Sequence, residues 1–196
     1  MNPTETRKLG RTEVELTQFG FGAASLGETF ALVSEEDALS TMQTLWKHGV
    51  RYFDTAPLYG WGLSEHRVGS FLSQQPRQEF FLSTKVGRVL KAPKVKAGFK
   101  APFFRGGLPY DHLFDYSYDG IMRSFEDSLQ RLRLNSIDLL VIHDLEIHCH
   151  GAELQAYRDQ FADSGWRAVE KLRSMGEVRA IGAGINELGV IPYFLE

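Results

Sequence analysis

Short apolar runs alternate along the chain with longer segments of helical periodicity. The runs predict five strands, the first of them buried, separated by amphipathic helices. The predicted strands are Gln18–Gly22, Val50–Asp54, Phe80–Lys85, Ile137–His143 and Val178–Ala183. The predicted helices are Ser34 to about His48, Ser64–Leu72, Ser117–Leu132 and roughly Ser164–Met175, with Ser34 and Ser64 as N-caps.

Three further segments depart from this alternation. Two alternating stretches around Gly10, within Arg7–Leu16, predict a small hairpin before the main fold. Two long stretches, Val86–Asp115 and Asp144 to about Gln160, read as irregular, and loops of that length are usually functional or disordered. Within the first, Lys91–Lys100 carries four lysines, for which we expect a solvated lid, with anion binding as the alternative.

Alternating strands and helices predict an α/β fold with a parallel sheet. Polar residues stand at strand ends, as on the active-site face of a (β/α)8 barrel. A doubly wound sheet is less favoured, because Phe19–Gly27 lacks the G-x-G-x-x-G order of a dinucleotide-binding turn. We therefore expect a barrel cut short after about the fifth of its eight strands. It would form one partial domain over residues 1–196, and Tyr193–Glu196 would fall within the next helix.

The composition of the chain limits the kinds of partner that we expect it to bind. A net charge of -3 gives no reason to expect nucleic acid or an anionic membrane, and we find no signal peptide or membrane span. Cys149 is the single cysteine, so no internal disulfide can form. The expected location is cytoplasmic. The unpaired edges of a five-stranded sheet make a second copy of the chain a candidate partner, as a homo-oligomer.

Four side chains at or near three successive strand ends could act together: Asp54, Tyr59, Lys85 and His143. Taken singly, each has a structural explanation, such as an ion pair for the carboxylate and the ammonium. Together they suit proton transfer, because an ammonium favours a nearby phenolate and a carboxylate keeps that ammonium charged. An imidazole beside them can orient a substrate oxygen. We expect the four groups to converge on a common point.

Three strings carrying these residues resemble the aldo-keto reductases, and the likeness runs along essentially the whole chain. They are DTAPLYG (Asp54–Gly60), STKVG (Ser83–Gly87) and DLLVIHD (Asp138–Asp144). The resemblance implies that Tyr59 is the proton donor or acceptor and that Lys85, paired with Asp54, favours its phenolate form. It implies that His143 orients the substrate oxygen. It also implies hydride transfer at C4 of a nicotinamide, NADP or NAD.

The cofactor contacts implied by the resemblance are less complete. The loop after the first strand, with Gly22, Ala23 and Ala24, would lie against the nicotinamide, close to Asp54. Asn186 matches the asparagine of a Ser-Asn pair that holds the carboxamide, but the serine is absent. The residues that stack on the ring and hold the phosphates have no counterpart in this sequence, so the choice between NAD and NADP stays open.

Within the family, Leu108–Leu132 and the histidine-rich stretch after His143 look most like the L-fucose or D-threo-aldose 1-dehydrogenases and pyridoxal 4-dehydrogenase. This likeness implies oxidation of a sugar C1 hydroxyl to a lactone, with Tyr59 as base. Trp61, Asp144 and Glu146, with Tyr59 and His143, are the candidate substrate contacts.

Two other functions compete with this interpretation. A metallohydrolase could use the cluster His143, Asp144, Glu146, His148, Cys149 and His150, but its spacing matches no known ligand pattern, and we expect no metal. An inactive barrel fragment or a binding module that keeps the four residues by descent is the second alternative.

Overall fold

The computed structural model describes residues 4–10, 12–94 and 103–195. The described residues form strands β1 (Thr6–Lys8), β2 (Glu15–Thr17), β3 (Gly20–Gly22), β4 (Tyr52–Asp54), β5 (Phe81–Val86), β6 (Arg88–Lys91), β7 (Asp111–Phe114), β8 (Leu139–His143) and β9 (Ala180–Gly184). The helices are α1 (Glu35–Lys47), α2 (Leu63–Leu72), α3 (Tyr118–Leu132), α4 (Ile147–His150), α5 (Leu154–Gln160), α6 (Trp166–Ser174) and α7 (Ile191–Leu195).

The centre of the structure is a five-stranded parallel sheet in the order β3-β4-β5-β8-β9. This sheet confirms the predicted α/β fold, and the antiparallel pair β1–β2 confirms the N-terminal hairpin. In register, Gly22 stands beside Asp54, and His143 stands beside Gly184. The carboxyl ends of the strands therefore meet at one edge of the sheet, where the polar residues were expected.

The core lies between the sheet and helices α1, α2, α3 and α6. Its fully buried side chains come from strands and from the inner helical faces, among them Met42, Phe53, Leu82, Ile121 and Leu140. Ser34 caps α1 by accepting the N–H of Asp37 at 3.0 Å, as predicted. Among the described residues, every helix is too short or too polar to span a lipid bilayer.

The first strand of the sheet is not buried as predicted. Gly20 and Gly22 are exposed, because β3 pairs within the described residues only with β4 and has an open second edge. The prediction of Ser64 as an N-cap is also wrong, since α2 begins one residue earlier, after Gly62. The buried Ser64 hydroxyl instead donates to the carbonyl oxygen of Ala23 at 2.7 Å and lies 2.9 Å from the hydroxyl of Thr55.

The two stretches read as irregular contain regular structure. The first holds the antiparallel pair β6–β7, which Gly87 allows to leave the sheet through a turn with φ of 107°. The second is helical, and α5 continues through a π-helical turn, Phe161–Gly165, into α6. Gly165 there lies so close to Tyr116 that an added Cβ would be 2.0 Å from its carbonyl oxygen. Residues 95–102, with part of the lysine-rich segment, lie outside the described residues.

Candidate active site

A buried ion pair joins Lys85 to Asp54 across β4 and β5. The Lys85 ammonium lies 2.6 Å from one carboxylate oxygen of Asp54 and donates to the carbonyl oxygen of Thr55 at 2.9 Å. The Ser83 hydroxyl donates to the other Asp54 oxygen at 2.6 Å. The carboxylate is therefore held on both oxygens, which fixes the position of the ammonium.

Tyr59 and His143 lie around this ammonium. The Lys85 nitrogen is 4.8 Å from the centre of the Tyr59 ring, and that ring stands at 90° to the His143 ring with centroids 6.0 Å apart. Gly27 lets the loop bearing Tyr59 approach, because an added Cβ there would lie 2.5 Å from the Tyr59 carbonyl carbon. The structure thus brings the four predicted side chains together at one end of the sheet.

The His143 imidazole is buried among positive charges. Burial, and then the charges of Arg88 and Lys85, lower the pKa of His143 well below its ordinary value. The Tyr116 hydroxyl donates to the His143 backbone carbonyl oxygen at 2.6 Å and fixes the strand end. His143 is therefore neutral at physiological pH and can donate one hydrogen bond to an oxygen atom.

Sequence reasoning missed Arg88 and Tyr116. Arg88 is 5% exposed and donates through Nη2 to a carboxylate oxygen of Asp144 at 2.7 Å. Tyr116 is fully buried, and its hydroxyl also lies 3.0 Å from Nε2 of His150. Arg88 stands in the stretch read as irregular, and Tyr116 directly follows that stretch. The turn glycine followed by an arginine, only three residues after Lys85, was the signal that could have identified Arg88.

Asn186 is bound to acidic residues that follow β8. Its backbone N–H donates to Glu146 at 2.7 Å, and its side-chain nitrogen donates to Glu146 at 2.5 Å and to Asp144 at 3.3 Å. Burial of Glu146 opposes its ionisation, but the hydrogen bonds from Asn186 and Glu187 outweigh that effect and lower its pKa. The network orients Asn186 at the strand-end face while leaving its side chain exposed.

The cluster considered for a metallohydrolase is engaged in other contacts. Within the described residues, ligand atoms of Asp144, Glu146 and Cys149 lie within 4.8 Å of one another. Their carboxylate oxygens already accept hydrogen bonds from Arg88 and Asn186. Burial raises the pKa of the Cys149 thiol to about 11, so the sulfur is not a ready thiolate ligand. These neighbours favour a hydrogen-bonded network over a cation site.

A cavity of about 620 Å³ opens beside the ion pair of Arg88 and Asp144. Its walls combine apolar and polar side chains: Leu58, Arg88, Phe103, His112, Phe114, Asp144, His148, Cys149, Asn186 and Glu187. Trp61, a predicted substrate contact, is fully buried, and its ring stacks on His112 with centroids 4.8 Å apart. Trp61 therefore supports the cavity wall through His112. Glu146 is also fully buried, behind Asn186.

The loop after β3 leaves bare backbone beside Asp54. A Cβ added to Gly22 would meet nothing within 4 Å, whereas the carbonyl oxygens of Ala23 and Ala24 already accept hydrogen bonds from Ser64 and Thr29. A flat ring can approach the Gly22 backbone closely, with Asp54 on the adjacent strand and Asn186 at the far side of the sheet. The Gly22 backbone therefore leaves room for a planar group beside Asp54.

Several known proteins are similar to this chain in sequence. The sequence model of the Aldo/keto reductase family matches residues 18–192. Pyridoxal 4-dehydrogenase of Microbacterium luteolum is 40% identical, over 100% of this chain and 60% of that protein. D-threo-aldose 1-dehydrogenase of a Pseudomonas species is 39% identical, over 84% of this chain and 49% of that protein. L-galactose dehydrogenase of Arabidopsis thaliana is 33% identical, over 100% and 53%.

Solved structures show the same fold. An aldo-keto reductase of Bacillus halodurans in its holo form matches with a TM-score of 0.72 at 30% identity, over 98% of this chain and 54% of that one. The glycerol dehydrogenase of Gluconobacter oxydans matches with a TM-score of 0.69 at 25% identity, over 98% and 52%. The predicted barrel-type fold is thereby confirmed. The chain spans about half to three fifths of the length of the proteins it matches.

Proposed function

Because the chain belongs to the aldo/keto reductase family, we propose that its function is hydride transfer between a nicotinamide cofactor and a small carbonyl or alcohol substrate. The observation that carries the proposal is the position of the Lys85 ammonium, 2.6 Å from Asp54 and 4.8 Å from the Tyr59 ring centre. The ammonium lies between the phenol and a fixed carboxylate. In this arrangement the phenol can act as a proton donor or acceptor.

In the proposed reaction, Tyr59 exchanges a proton with the substrate oxygen. Lys85 stabilises the phenolate form of Tyr59 by its positive charge, and Asp54 keeps Lys85 charged and aimed. In the direction of oxidation the Tyr59 phenolate removes the hydroxyl proton of the substrate, and in the direction of reduction the Tyr59 phenol returns it. Ser83 and Thr55 hold the pair in place.

The neutral His143 orients the substrate oxygen beside Tyr59. A neutral imidazole donates one N–H to that oxygen without placing a second cation beside Lys85. The buried His143 ring stands at 90° to the Tyr59 ring with centroids 6.0 Å apart, so the two side chains are direct neighbours in the proposed site. His143 thereby limits the positions from which the substrate can exchange a proton with Tyr59.

NAD or NADP, when bound, accepts or supplies the hydride. The backbone of Gly22 and the side chain of Asn186 are the groups of this chain that would hold its nicotinamide end, with Ala23 and Ala24 continuing the same loop. The open surface at Gly22 and the Asn186 side-chain amide, oriented by its donation to Glu146 and Asp144, support this assignment. Asp54 lies beside Gly22 in the sheet, so the bound ring would adjoin the proton-transfer residues.

For the substrate we propose a neutral sugar that is oxidised at its C1 hydroxyl to a lactone. Two of the similar proteins, D-threo-aldose 1-dehydrogenase and L-galactose dehydrogenase, carry sugars in their names. The cavity offers apolar walls for C–H groups and polar groups for hydroxyls. Asp144 neutralises Arg88, and Glu187 adds negative charge, so the cavity disfavours phosphorylated or carboxylated substrates.

The test is steady-state turnover of the 196-residue chain with NAD and with NADP. The substrates are neutral aldoses, the corresponding aldose phosphates and pyridoxal. Turnover of each is measured by the absorbance of the reduced nicotinamide. We expect turnover of neutral aldoses and little or none of their phosphates. Turnover of pyridoxal alone would overturn the sugar assignment. Failure to bind either nucleotide would favour a binding module or an inactive barrel fragment.

Two further proposals concern the domain organisation of the chain and its assembly with other copies. We propose that residues 1–196 form one partial barrel domain and that a second copy of the chain is its macromolecular partner. Within the described residues, β3 and β9 each pair with one strand of the sheet, so each has a free edge. Sedimentation of the purified chain tests for the homo-oligomer. The cytoplasmic location remains a prediction from the sequence.

A further inference from the structure

The ion pair of Arg88 and Asp144 stands directly beside the His143 imidazole. Nη2 of Arg88 lies 2.7 Å from Oδ2 of Asp144, and the same oxygen lies 3.5 Å from Nε2 of His143. All three residues are buried, with at most 8% of each exposed. One carboxylate oxygen therefore faces both a fixed guanidinium and the ring nitrogen of His143.

The structure holds Asp144 in this position by several contacts. Its backbone adopts a left-handed conformation with φ of 52°, and its N–H donates to the carbonyl oxygen of Gly184 at 2.8 Å. The Asn186 side chain donates to its other oxygen at 3.3 Å. An uncommon backbone conformation, retained at a site where three elements meet, is the kind of constraint found at functional positions.

Arg88 is placed for this contact by the turn at Gly87. The turn leads the chain from β5 out of the sheet and over the strand ends, and the Arg88 guanidinium packs over the Phe114 ring at 4.7 Å. Within the described residues, Nε and Nη1 of Arg88 have no hydrogen-bond partner. The polar contacts of the guanidinium are thus made through Nη2, toward Asp144 and, at 4.0 Å, toward the Cys149 sulfur.

We propose that Arg88 and Asp144 are positioning residues that hold His143 as its Nε2–H tautomer, aimed into the proton-transfer site before substrate arrives. The negative charge of Asp144 favours a hydrogen on Nε2, and at 3.5 Å the carboxylate is too far for a normal hydrogen bond, so the Nε2–H stays available to a substrate oxygen. Arg88 holds the carboxylate in place and opposes protonation of the ring at Nδ1. A buried ion pair is expected to add little net stability to the fold, and a role in orienting His143 is consistent with that.

The groups that face the His143 ring support this assignment. They are Lys85 of β5, Arg88 of β6, Tyr59 after β4 and Asp144 after β8, while β9 presents Gly184, which has no side chain. Burial, and then the charges of Arg88 and Lys85, lower the pKa of the ring. Asp144 is the anion that opposes them, so without Arg88 the carboxylate would favour the imidazolium form.

The experiment is side-chain ¹⁵N NMR of the histidine-labelled chain over a pH series, with the His143 signals assigned from a His143→Gln variant. The wild type should show His143 neutral and predominantly Nε2–H. In Asp144→Asn the ratio of Nε2–H to Nδ1–H should fall about tenfold, the effect of losing a charged acceptor. In Arg88→Gln, His143 should gain its second proton at a higher pH than in the wild type.

Arg77→Gln is the matched control, because Arg77 forms a partly buried ion pair with Asp138 at 2.7 Å, at the opposite ends of the strands. It should leave the His143 signals unchanged. A wild-type Nδ1–H tautomer, an unchanged ratio in Asp144→Asn, or the same change in Arg77→Gln would overturn the proposal. If Arg88→Gln does not fold, the isosteric Asp144→Asn decides the question by itself.

The proposal rests on the proposed function for the role that it gives to His143. The NMR measurement needs neither cofactor nor substrate. A chain without turnover but with the expected tautomer would contradict the proposed function and leave the positioning by Asp144 intact. A chain with turnover and an Nδ1–H tautomer would support the proposed function and contradict the positioning of His143 by Asp144.

Discussion

The Lys85 ammonium lies 2.6 Å from the Asp54 carboxylate, and the two residues stand near the ends of adjacent parallel strands. The Lys85 side chain is 7% exposed, whereas the Asp54 side chain is 26% exposed. The ammonium has thus lost most of its hydration and depends on this carboxylate. The pair that is proposed to serve proton transfer therefore also constrains the folded state.

Asp54→Asn should lower the free energy of unfolding by about 3 kcal/mol, because it leaves a buried ammonium without its counter-ion. Urea denaturation at neutral pH measures this loss. Lys85→Met removes the buried charge and should therefore lower the free energy of unfolding by less than Asp54→Asn does. The double variant should be no less stable than Asp54→Asn alone. Losses that simply add in the double variant would show that the two groups act independently.

Gly69→Ala should destabilise the protein by about 2–3 kcal/mol, although alanine favours a helix over glycine. Gly69 lies on α2 against the end of α3, and an added Cβ would be 2.3 Å from the carbonyl oxygen of Leu132. Denaturation midpoints measure the effect. Gly189→Ala is the control, because its added Cβ meets nothing within 4 Å. A Gly69→Ala variant as stable as wild type would contradict the close packing of α2 on α3.

Stability should fall as the pH drops below about 6.5, the ordinary pKa of histidine. Burial, and then the charge of Arg88, lower the pKa of His112 to about 4. Between these two values the unfolded chain binds a proton that the folded chain does not, so acid favours unfolding. His112 alone contributes a slope of up to about 1.4 kcal/mol per pH unit.

The free energy of unfolding, measured by urea at several pH values from neutral to about 4.5, tests this dependence. His112→Gln should have a shallower slope than the wild type, whatever its stability at neutral pH. His48→Gln, at an exposed position after α1, is the control and should keep the wild-type slope. Equal slopes in all three proteins would contradict a neutral, partly buried His112 in the folded chain.

The sequence predicted the strand ends well, because parallel strands of one sheet bring their carboxyl ends to the same face. Asp54, Lys85 and His143 could therefore be placed together from their positions in apolar runs. Ser64 was misread because its local pattern is that of an N-cap, whereas the folded structure supplies the distant carbonyl oxygen of Ala23. At Ser64 a tertiary hydrogen bond therefore replaces the N-cap contact that the local sequence predicts.

Arg88 and Tyr116 were missed for a different reason. Their place in the site depends on the hairpin β6–β7, which lies outside the parallel sheet and has no periodic pattern. The contact of Arg88 with Asp144 joins residues 56 positions apart in the chain. The Gly87-Arg88 turn could have identified Arg88, but its partner Asp144 depends on the turn and on packing against Phe114, which spacing along the chain does not reveal.

The most direct test of the account is the effect of Tyr59→Phe on NAD(P)-dependent oxidation of a neutral aldose that the wild-type chain turns over. Loss of the phenol should reduce kcat by about 10²–10⁴-fold. Tyr118→Phe is the control, because its hydroxyl contacts Lys171 on the outer helices and should leave kcat unchanged. Wild-type turnover that survives in Tyr59→Phe would contradict the proposed proton transfer by Tyr59.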